Sequence, residues 1–420
     1  MVLLLCAGTG QTEETVPREL RWMGQWKNEG LREQLVRETL EEFQFLHQDI
    51  KISMSFASDL LPEKSQVNAG RLIADMIRAG RVDWDVIWLD ALIYKTVAAE
   101  LNDPDWGAEY LVDFSEFPDV KAAHRSFLVD GPDCHQDTRG VFAGPYIEGF
   151  YSCLWYNTAV AEKLGLKIRE EEMSADDLLS YLLRIKEYNQ TAEIPIAGFA
   201  DFTASGSARR LAHNLFLSEH LARPDMPTDE ILAHVLHFFE AMQPCDPVLY
   251  DNQTWQDAAQ LLLDDKALFL IEATWRYSSL RASFPDLLNK LHPVQVPGFE
   301  KQSFYVGGFT TTWAVMKNSP VRDTGIELMR FWCSSAIAEK WVRYTKSPTG
   351  LSGNLYNSEY GMDSLARFQR NLSEGRVIQP DISTLEKEAP ICSTFPYLYP
   401  ILYGEMTAEE SLIEMKKTDK

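Results

Sequence analysis

Hydrophobic and polar positions near the start of the chain alternate between the spacing of strands and that of helices. The segment ELRWMGQW favours a strand that ends in a glycine turn, and IKISMSF alternates as a second strand. Between them, apolar residues recur at helical spacing: Leu31, Leu35, Leu40, Phe43 and Leu46. A second helix, GRLIADMIRAGR, leads into the apolar segment DVIWLD. This β-α-β-α-β order predicts an α/β protein with a mostly parallel sheet and helices on its faces.

A carboxylate interrupts the most apolar part of the chain, VFAGPYIEGFYSCLWYN at 141–157. From Gly149 onward both alternating faces carry large apolar side chains, which predicts a strand that is buried on both sides. The Gly-Pro pair ahead of it marks a turn. Glu148 is therefore expected where a rigid strand begins, a position typical of a functional group.

The middle of the chain, about 150–300, is richer in helical patterns. In SADDLLSYLLRIKEYN, Ser174 and Asp177 have the spacing of a helix cap, and DAAQLLLDDKALFLIEATW runs from a helix into an apolar strand. Further on, Ser319 and Pro320 fit the N-cap and first position of another helix. The sequence therefore predicts alternating helices and strands beyond the first sheet as well.

Length points to more than one lobe. A chain of 420 residues is too long for one ordinary core, so two or more lobes are expected. No repeat, low-complexity tract or long Gly/Ser linker separates them. The chain is therefore expected to cross between its lobes several times.

Composition and charge limit the classes of partner that the protein can bind. With 45% hydrophobic and 24% charged residues the chain resembles soluble globular proteins, and no apolar run reaches the roughly 18 residues that span a bilayer. The formal charge of −22 argues against a nucleic-acid or anionic-membrane partner, because both repel an acidic surface.

The N-terminal segment, MVLLLCAGTGQTEE, has the apolar and small residues of a secretory signal. No Lys or Arg precedes Arg18, so the usual positive region is missing. We interpret residues 1–17 as a remnant export signal or a disordered N-terminus, with location in the periplasm or outside the cell. Cys6 is a candidate for lipid anchoring, although Leu5 stands where lipoprotein signals carry a small residue.

Metal, redox and catalytic signatures are weak. The chain has six cysteines: Cys6, Cys134, Cys153, Cys245, Cys333 and Cys392. They show no CxxC and no metal-like spacing. If the chain is exported, one disulfide could form among them. His234 and His237 have helical spacing, but no third ligand accompanies them. No nucleophile-elbow, phosphate-loop or zinc-protease motif occurs. We expect no cofactor and no metal.

Aromatic residues near strand ends are the strongest functional signal. A ring can stack on the apolar face of a sugar while nearby polar groups bind its hydroxyls, and ligands of parallel sheets lie beyond the carboxyl ends of the strands. Most such rings are expected in the core, and only Trp26 and Trp275 fall at loops. The full set is Trp22, Trp26, Trp88, Trp155, Trp275, Trp313 and Tyr146.

An enzymatic alternative uses two of the 62 acidic residues. Glu148 and Glu272 have the residue type of a glycoside hydrolase pair. Their separation decides that chemistry, and sequence does not give it.

In chain order, several segments resemble the extracellular solute-binding proteins of bacterial ABC importers, in the sugar-binding group that includes maltose-binding protein. The similarity extends from about Leu20 to Met415. It rests on LRWMGQWKNEGLREQLVRETLEEF, AGRLIADMIRAGRVDWDVIWLD, GPYIEGFYSCLWYNTAVAEKLGL, ALFLIEATWRYSSL, SFYVGGFTTTWAVMKNSP and LYGEMTAEESLIEMKK.

This resemblance implies a two-lobed periplasmic-binding-protein (venus-flytrap) fold with crossing hinge strands. Lobe 1 is expected at 18–148 plus 308–352, and lobe 2 at 149–307 plus 353–420. The lobes would close on a solute by a hinge motion. Members of the family are usually monomers, which is the state expected here.

The resemblance also implies which residues bind the solute. From the first lobe these are Gln25, Trp26 and Asp90, and Trp275 matches the sugar-stacking ring. The other expected binding residues are Tyr146, Glu148, Asp201, Arg276, Gly308 and Phe309. Arg276 departs from the family pattern, and its positive charge fits an acidic sugar, a sugar phosphate or an ion pair with a carboxylate.

The function expected from this resemblance is capture of a sugar or sugar-like solute in an interlobe cleft and its delivery to the transmembrane subunits of an ABC permease. The alternatives are a periplasmic sensor that reports to a signalling receptor, and the glycoside hydrolase.

Overall fold

The computed structural model describes most of the chain. The described residues are 18–56, 59, 66–124, 142, 144–201, 207–245, 254–299, 305–310, 313–352, 377–378 and 395–418. The predicted N-terminal segment with Cys6, and also Cys134 and Cys392, lie outside them.

Helices and strands alternate along the described chain, as the α/β prediction requires. The helices are α1 Leu31–Leu46, α2 Gln66–Arg78, α3 Ala91–Leu101, α4 Trp106–Tyr110, α5 Pro118–Ala123, α6 Thr158–Leu164, α7 Ala175–Asn189, α8 Ser207–Ala222, α9 Thr228–Met242, α10 Trp255–Leu263, α11 Arg276–Ser283, α12 Arg322–Trp332, α13 Ser335–Thr345, α14 Phe395–Leu402 and α15 Ala408–Thr418. The strands are β1 Arg18–Gly24, β2 Ile50–Phe56, β3 Val86–Trp88, β4 Glu148–Asn157, β5 Ala197–Phe199, β6 Ala267–Ala273, β7 Leu291–Gln295, β8 Tyr305–Thr310, β9 Trp313–Val315 and β10 Val377–Ile378. Short 3-10 helices cover Phe114–Glu116, Gln243–Cys245 and Pro285–Asn289.

The chain divides into two compact units. The first unit comprises Met1–Asn28, Glu33–Pro145 and Thr311–Ile337. The second unit comprises Glu29–Arg32, Tyr146–Thr310 and Ala338–Lys420. The lobe boundaries given by the resemblance stay a prediction.

The first unit is built on a four-stranded sheet in the order β2-β1-β3-β9. Strand β1 pairs in parallel with β2 and β3, and only β9 runs antiparallel, so the mostly parallel sheet predicted from the opening pattern is confirmed. Asp85, just before β3, is fully buried and holds Arg21 through both carboxylate oxygens. This pair ties β1 to the entry of β3.

The second unit is built on a mixed six-stranded sheet in the order β10-β8-β4-β6-β5, with β7 also paired to β4. Strand β4 is central because it pairs antiparallel with β6, β7 and β8. It begins at Glu148 and is buried on both faces, which confirms the prediction for 141–157. Helices α7, α8 and α9 cover its main apolar core.

Helix starts follow the predicted caps in one case and not in another. Ser174 and Asp177 form the expected capping box of α7. The N-cap predicted at Ser319 is wrong, because α12 begins at Arg322 after Val321. The Ser319 hydroxyl instead donates to the Asp85 carboxylate and accepts from the Val321 N–H, which holds a turn ahead of the helix. Among the described helices, none is long and apolar enough to cross a bilayer.

Candidate functional site

The carboxyl end of β6 gathers several of the predicted site residues in the second unit. The strand ends on Glu272 and Ala273, and the chain continues through Trp275 into α11. The first residue of α8, Ser207, is held against β6 because its hydroxyl donates to the Ile271 carbonyl (3.1 Å) and accepts from the Ile271 N–H (2.9 Å). This anchor brings the first turn of α8 to the end of the strand.

Two arginines share one buried carboxylate at this point. A terminal nitrogen of Arg210 lies 2.7 Å from one oxygen of Glu272, and a terminal nitrogen of Arg276 lies 2.6 Å from the other. The side chain of Glu272 is 8% exposed, whereas those of Arg210 and Arg276 are 22% and 19% exposed. We call these three residues the arginine–glutamate cluster.

Each guanidinium of the cluster also lies over an indole ring. The Arg210 guanidinium carbon is 5.0 Å from the ring centroid of Trp275, and that of Arg276 is 5.1 Å from that of Trp255. Phe150 of β4 contacts the half-buried Trp275, with centroids 5.1 Å apart and planes tilted by 56°. Cation–π contact and a carboxylate together fix the guanidinium planes.

Glu148, at the start of β4, is engaged by another arginine. Arg32 donates to one Glu148 oxygen from Nε (2.7 Å) and from a terminal nitrogen (2.6 Å), and it also contacts Glu29 (3.1 Å). Burial raises the pKa of the Glu148 carboxyl above its ordinary value, and the charge of Arg32 acts against that rise.

The short segment that carries Arg32 packs on α11. Gly30 has a φ of +62°, and a Cβ there would lie 2.9 Å from the Ala282 side chain and 3.1 Å from the Ser278 carbonyl. Only glycine combines this left-handed backbone with so close an approach. The Arg32–Glu148 pair and α11 are thereby held in the same unit.

The paired strands β4 and β8 place three further predicted residues. Gly308 pairs with Phe150, and Phe309 pairs with Gly149. A Cβ on Gly149 would meet the Phe309 ring at 2.6 Å, so the absence of a side chain leaves room for this ring against β4. Tyr146 is buried just ahead of β4, and its carbonyl accepts from the N–H of Gly350.

Asp201 follows β5 at the same edge of the second sheet. Strand β5 is parallel to β6, and the N–H of Ala200 donates to the Phe269 carbonyl at 2.8 Å. Asp201 is half-buried, and because adjacent parallel strands share their carboxyl edge, it lies toward the same edge of the sheet as the end of β6.

The candidates of the first unit follow β1. Gln25 is buried, and Trp26 is only 8% exposed, with its ring 5.9 Å from that of Trp313. Trp26 also has a φ of +70°, a left-handed conformation that bulky residues seldom adopt. The ring thus packs in the core while its backbone is held in an uncommon conformation.

Asp90, the third candidate of the first unit, caps a helix. Its carboxylate accepts from the N–H of Ile93 at 2.9 Å at the start of α3, and from the Gln66 side chain at 2.6 Å. Burial raises the pKa of this carboxyl, and the two hydrogen bonds act against the rise. The carboxylate therefore has a structural role in addition to any ligand role.

The second unit therefore contains seven of the ten predicted residues, and the first unit contains the other three: Gln25, Trp26 and Asp90. Sequence reasoning missed Arg32, Phe150, Arg210 and Trp255, although the alternation of β4 places Phe150 on the same face as Glu148. Of the interpretations of Arg276, the structure contains the ion pair with a carboxylate, Glu272.

Other chemistry receives less support. Both carboxylates of the hydrolase alternative, Glu148 and Glu272, are bound by guanidinium groups. His234 and His237 each contact a carboxylate of their own, Glu219 and Glu240. Within the described ranges, no group of three or more His, Cys, Asp or Glu side chains could hold a metal ion.

Solved structures share the fold. The GacH receptor of Streptomyces glaucescens, whose structures include complexes with acarbose, is 12% identical with a TM-score of 0.65, over 96% of this chain and 97% of that chain. RafE in complex with raffinose is 17% identical with a TM-score of 0.66, over 94% and 97%. Maltose-bound T. maritima MalE3 is 15% identical with a TM-score of 0.64, over 96% and 98%. The protein therefore has the two-lobed α/β fold of periplasmic binding proteins.

Sequence comparison identifies the family. Among curated proteins, no sequence matches the chain significantly. The family model described as "Bacterial extracellular solute-binding protein" matches residues 69–360, well over half of the chain. The chain therefore belongs to the family of bacterial extracellular solute-binding proteins.

Proposed function

We propose that this solute-binding protein is exported, captures a sugar or sugar-like solute and delivers it to the transmembrane subunits of an ABC permease. Family membership supports solute capture outside the cytoplasm. The solved structures with bound acarbose, raffinose and maltose share the fold of this chain and support a carbohydrate ligand.

One observation carries the carbohydrate assignment: the half-buried indole of Trp275 at the end of a rigid strand, beside three charged groups. Sugars present apolar C–H faces and polar edges, so a site for them combines a ring with carboxylate and guanidinium groups. Glu272, Arg210 and Arg276 supply those groups, and both arginines lie within hydrogen-bond distance of the Glu272 carboxylate.

The cluster also limits how a sugar binds. Arg210 and Phe150 each cover part of the Trp275 indole, so a stacked sugar uses the surface of the ring that these two side chains leave open. The edge of the same sugar then lies toward the guanidinium groups. Glu272 fixes both guanidinium planes before the solute arrives, which lowers the entropy lost on binding.

A ligand screen tests the proposal. Purified protein is heated in the presence of mono-, di- and oligosaccharides, uronic acids, polyols and amino acids, and hits are titrated by calorimetry. A ligand at a hundred times its dissociation constant adds about 2.7 kcal/mol to the free energy of unfolding. We expect some carbohydrates to raise the melting temperature. If none of them does, the sugar assignment is overturned.

Two tryptophan variants locate the site. Trp275→Ala is expected to abolish the thermal shift, because the stacking surface is lost. Trp84→Ala is the matched control, since Trp84 is also half-buried but packs against the apolar core of the first unit. Equal loss of binding in both variants would argue against a role for Trp275.

Delivery needs a separate experiment. The family resemblance implies hinge closure on the solute, and a smaller radius of gyration with ligand in small-angle X-ray scattering would measure it. Stimulation of permease ATPase activity in proteoliposomes by the liganded protein tests transport, and stimulation of a sensor kinase alone would favour sensing. Lipid anchoring through Cys6 stays a prediction that mass spectrometry of the native protein tests.

A further inference from the structure

The arginine–glutamate cluster carries one more positive charge than negative charge. Arg210 and Arg276 contribute two guanidinium groups, and Glu272 is the one carboxylate that either contacts in the described part of the chain. The three side chains are 8–22% exposed. A surplus charge with so little water around it is costly unless an anion pairs with it.

The two guanidinium groups also have spare hydrogen-bond donors. Each has five N–H donors, and one terminal nitrogen of each is paired with Glu272. Among the described residues, Nε of Arg210 is buried with no acceptor, and so is the hydroxyl of Thr274, next to Trp275. The cluster can therefore donate to a ligand without breaking its internal ion pairs.

The aromatic rings prepare these donors for a planar anion. Trp275 and Trp255 lie beneath the two guanidinium groups and limit their rotation. A flat guanidinium edge matches the two oxygens of a carboxylate, as in bidentate Arg–carboxylate pairs. The indole of Trp275 beside that edge offers a stacking surface for the ring that bears the carboxylate.

We propose that the solute is an acidic sugar, a uronate or an oligosaccharide that contains one, with its carboxylate on Arg210 and Arg276. This inference rests on the proposed function and names the solute class of the same site. A uronate carries one negative charge and neutralises the surplus. A sugar phosphate carries about −1.5 to −2 at neutral pH and would leave the site with a net negative charge.

The decisive experiment compares each acid with its own methyl ester. Galacturonate, glucuronate and mannuronate, as mono- and disaccharides, are titrated against the protein beside the corresponding methyl esters. The ester keeps the shape and removes the charge. We expect at least one acid to bind tenfold or more tightly than its ester, the range for hydrogen bonds to a charged group. That advantage should shrink at high salt because the ions screen it.

Replacing the arginines and replacing the glutamate of the cluster should change the affinity for the acid in opposite directions. Arg210→Gln and Arg276→Gln should each weaken binding of the acid about tenfold or more and change ester binding less. Glu272→Gln should strengthen binding of the acid, because it raises the surplus charge. The amide has one acceptor oxygen where the carboxylate has two, so one arginine loses its partner and gains donors for the ligand. Arg81→Gln, at an exposed ion pair with Asp83, is the matched control and should change neither. Arg210→Lys retains the charge if Arg210→Gln fails to fold.

Each outcome bears on a separate claim. Neutral sugars that bind as tightly as the acids would overturn the acidic-sugar inference and leave the proposed function standing. Tighter binding of galactose 6-phosphate, or equal binding of glutarate, would overturn the uronate assignment. No binding by any carbohydrate, neutral or acidic, would overturn the proposed function as well.

Discussion

Trp22, Trp313 and Trp332 of the first unit pack against one another, with ring centroids 4.6 to 6.1 Å apart and no exposed surface. In the second unit Trp275 lies half-buried against Phe150 and beneath the guanidinium of Arg210. The indole N–H groups of Trp22 and Trp313 are buried without a hydrogen-bond partner, so ring packing outweighs that loss.

The difference separates core rings from ligand rings. A tryptophan that is enclosed by other rings, as Trp22 and Trp313 are, has no exposed surface left for a solute. A tryptophan that contacts charged groups at a strand end retains surface and lies beside hydrogen-bond donors. Surroundings, and not residue type, therefore decide which aromatic residues are candidates for binding.

Removing a ring should have the largest effect on stability in the first unit. We expect Trp313→Ala to lower the free energy of unfolding by about 5 kcal/mol, because the side chain is fully buried among other rings. Trp275→Ala should cost clearly less, since its ring is only partly buried. Urea unfolding measures both, and equal losses would contradict the comparison.

In the second unit, loss of a buried ion pair should have the largest effect on the free energy of unfolding. Arg32→Gln is expected to cost about 4 kcal/mol at pH 7.5, because it leaves the buried Glu148 carboxylate without its cation. Burial already raises the pKa of Glu148, so the cost should shrink as the pH falls and this carboxyl takes up a proton.

A second substitution controls for the charge effect. The double variant Arg32→Gln, Glu148→Gln should recover most of the lost stability at pH 7.5. If the single variant is equally unstable at pH 7.5 and pH 5, packing and not charge explains the loss.

Histidine 213 should make the second unit acid-sensitive. Burial, with the charges of Arg209 and Arg210, lowers the pKa of His213 from 6.5 to about 4. The unfolded chain therefore binds the proton first as the pH falls below 6.5, and stability is lost between pH 6.5 and 4, up to about 3 kcal/mol. His213→Gln should flatten the unfolding free energy across this window, and an unchanged slope would contradict the assignment.

A smaller effect should distinguish two glycines. Gly149→Ala is expected to cost about 2 kcal/mol, because the new Cβ would meet the Phe309 ring at 2.6 Å. Gly144→Ala, in the first unit, is the control because the nearest atom to its Cβ would be 4.0 Å away. Thermal unfolding should separate the two variants, and equal midpoints would show that β4 and β8 yield to the added methyl.

Much of the fold could be predicted from the sequence, because local spacing determines it. The alternation of IKISMSF and the helical spacing over Leu31–Leu46 give β2 and α1 directly. The apolar run after Glu148 gives the central strand of the second unit. Ser319 shows where prediction from local spacing fails, because its hydroxyl donates to Asp85, far away in the sequence, and does not cap a helix.

The site was less predictable because its contacts join distant parts of the chain. Arg210 reaches Glu272 only because Ser207 anchors α8 to β6, and no local pattern announces that contact. Asp90 and Trp26 carry the residue types of ligand groups, yet one caps a helix and the other packs in the core. Residue type alone does not separate those roles.

We expect Trp275, and not Trp22, Trp313 or Trp332 of the first unit, to contact the solute. Fluorine NMR of protein labelled with 5-fluorotryptophan tests it, since the chain has 11 tryptophans and each line can be assigned by replacing one with phenylalanine. During titration with a sugar that raises the melting temperature, we expect the Trp275 line to move most. The lines of Trp22, Trp313 and Trp332 should stay nearly fixed. Movement of those lines with an unchanged Trp275 line would contradict the account.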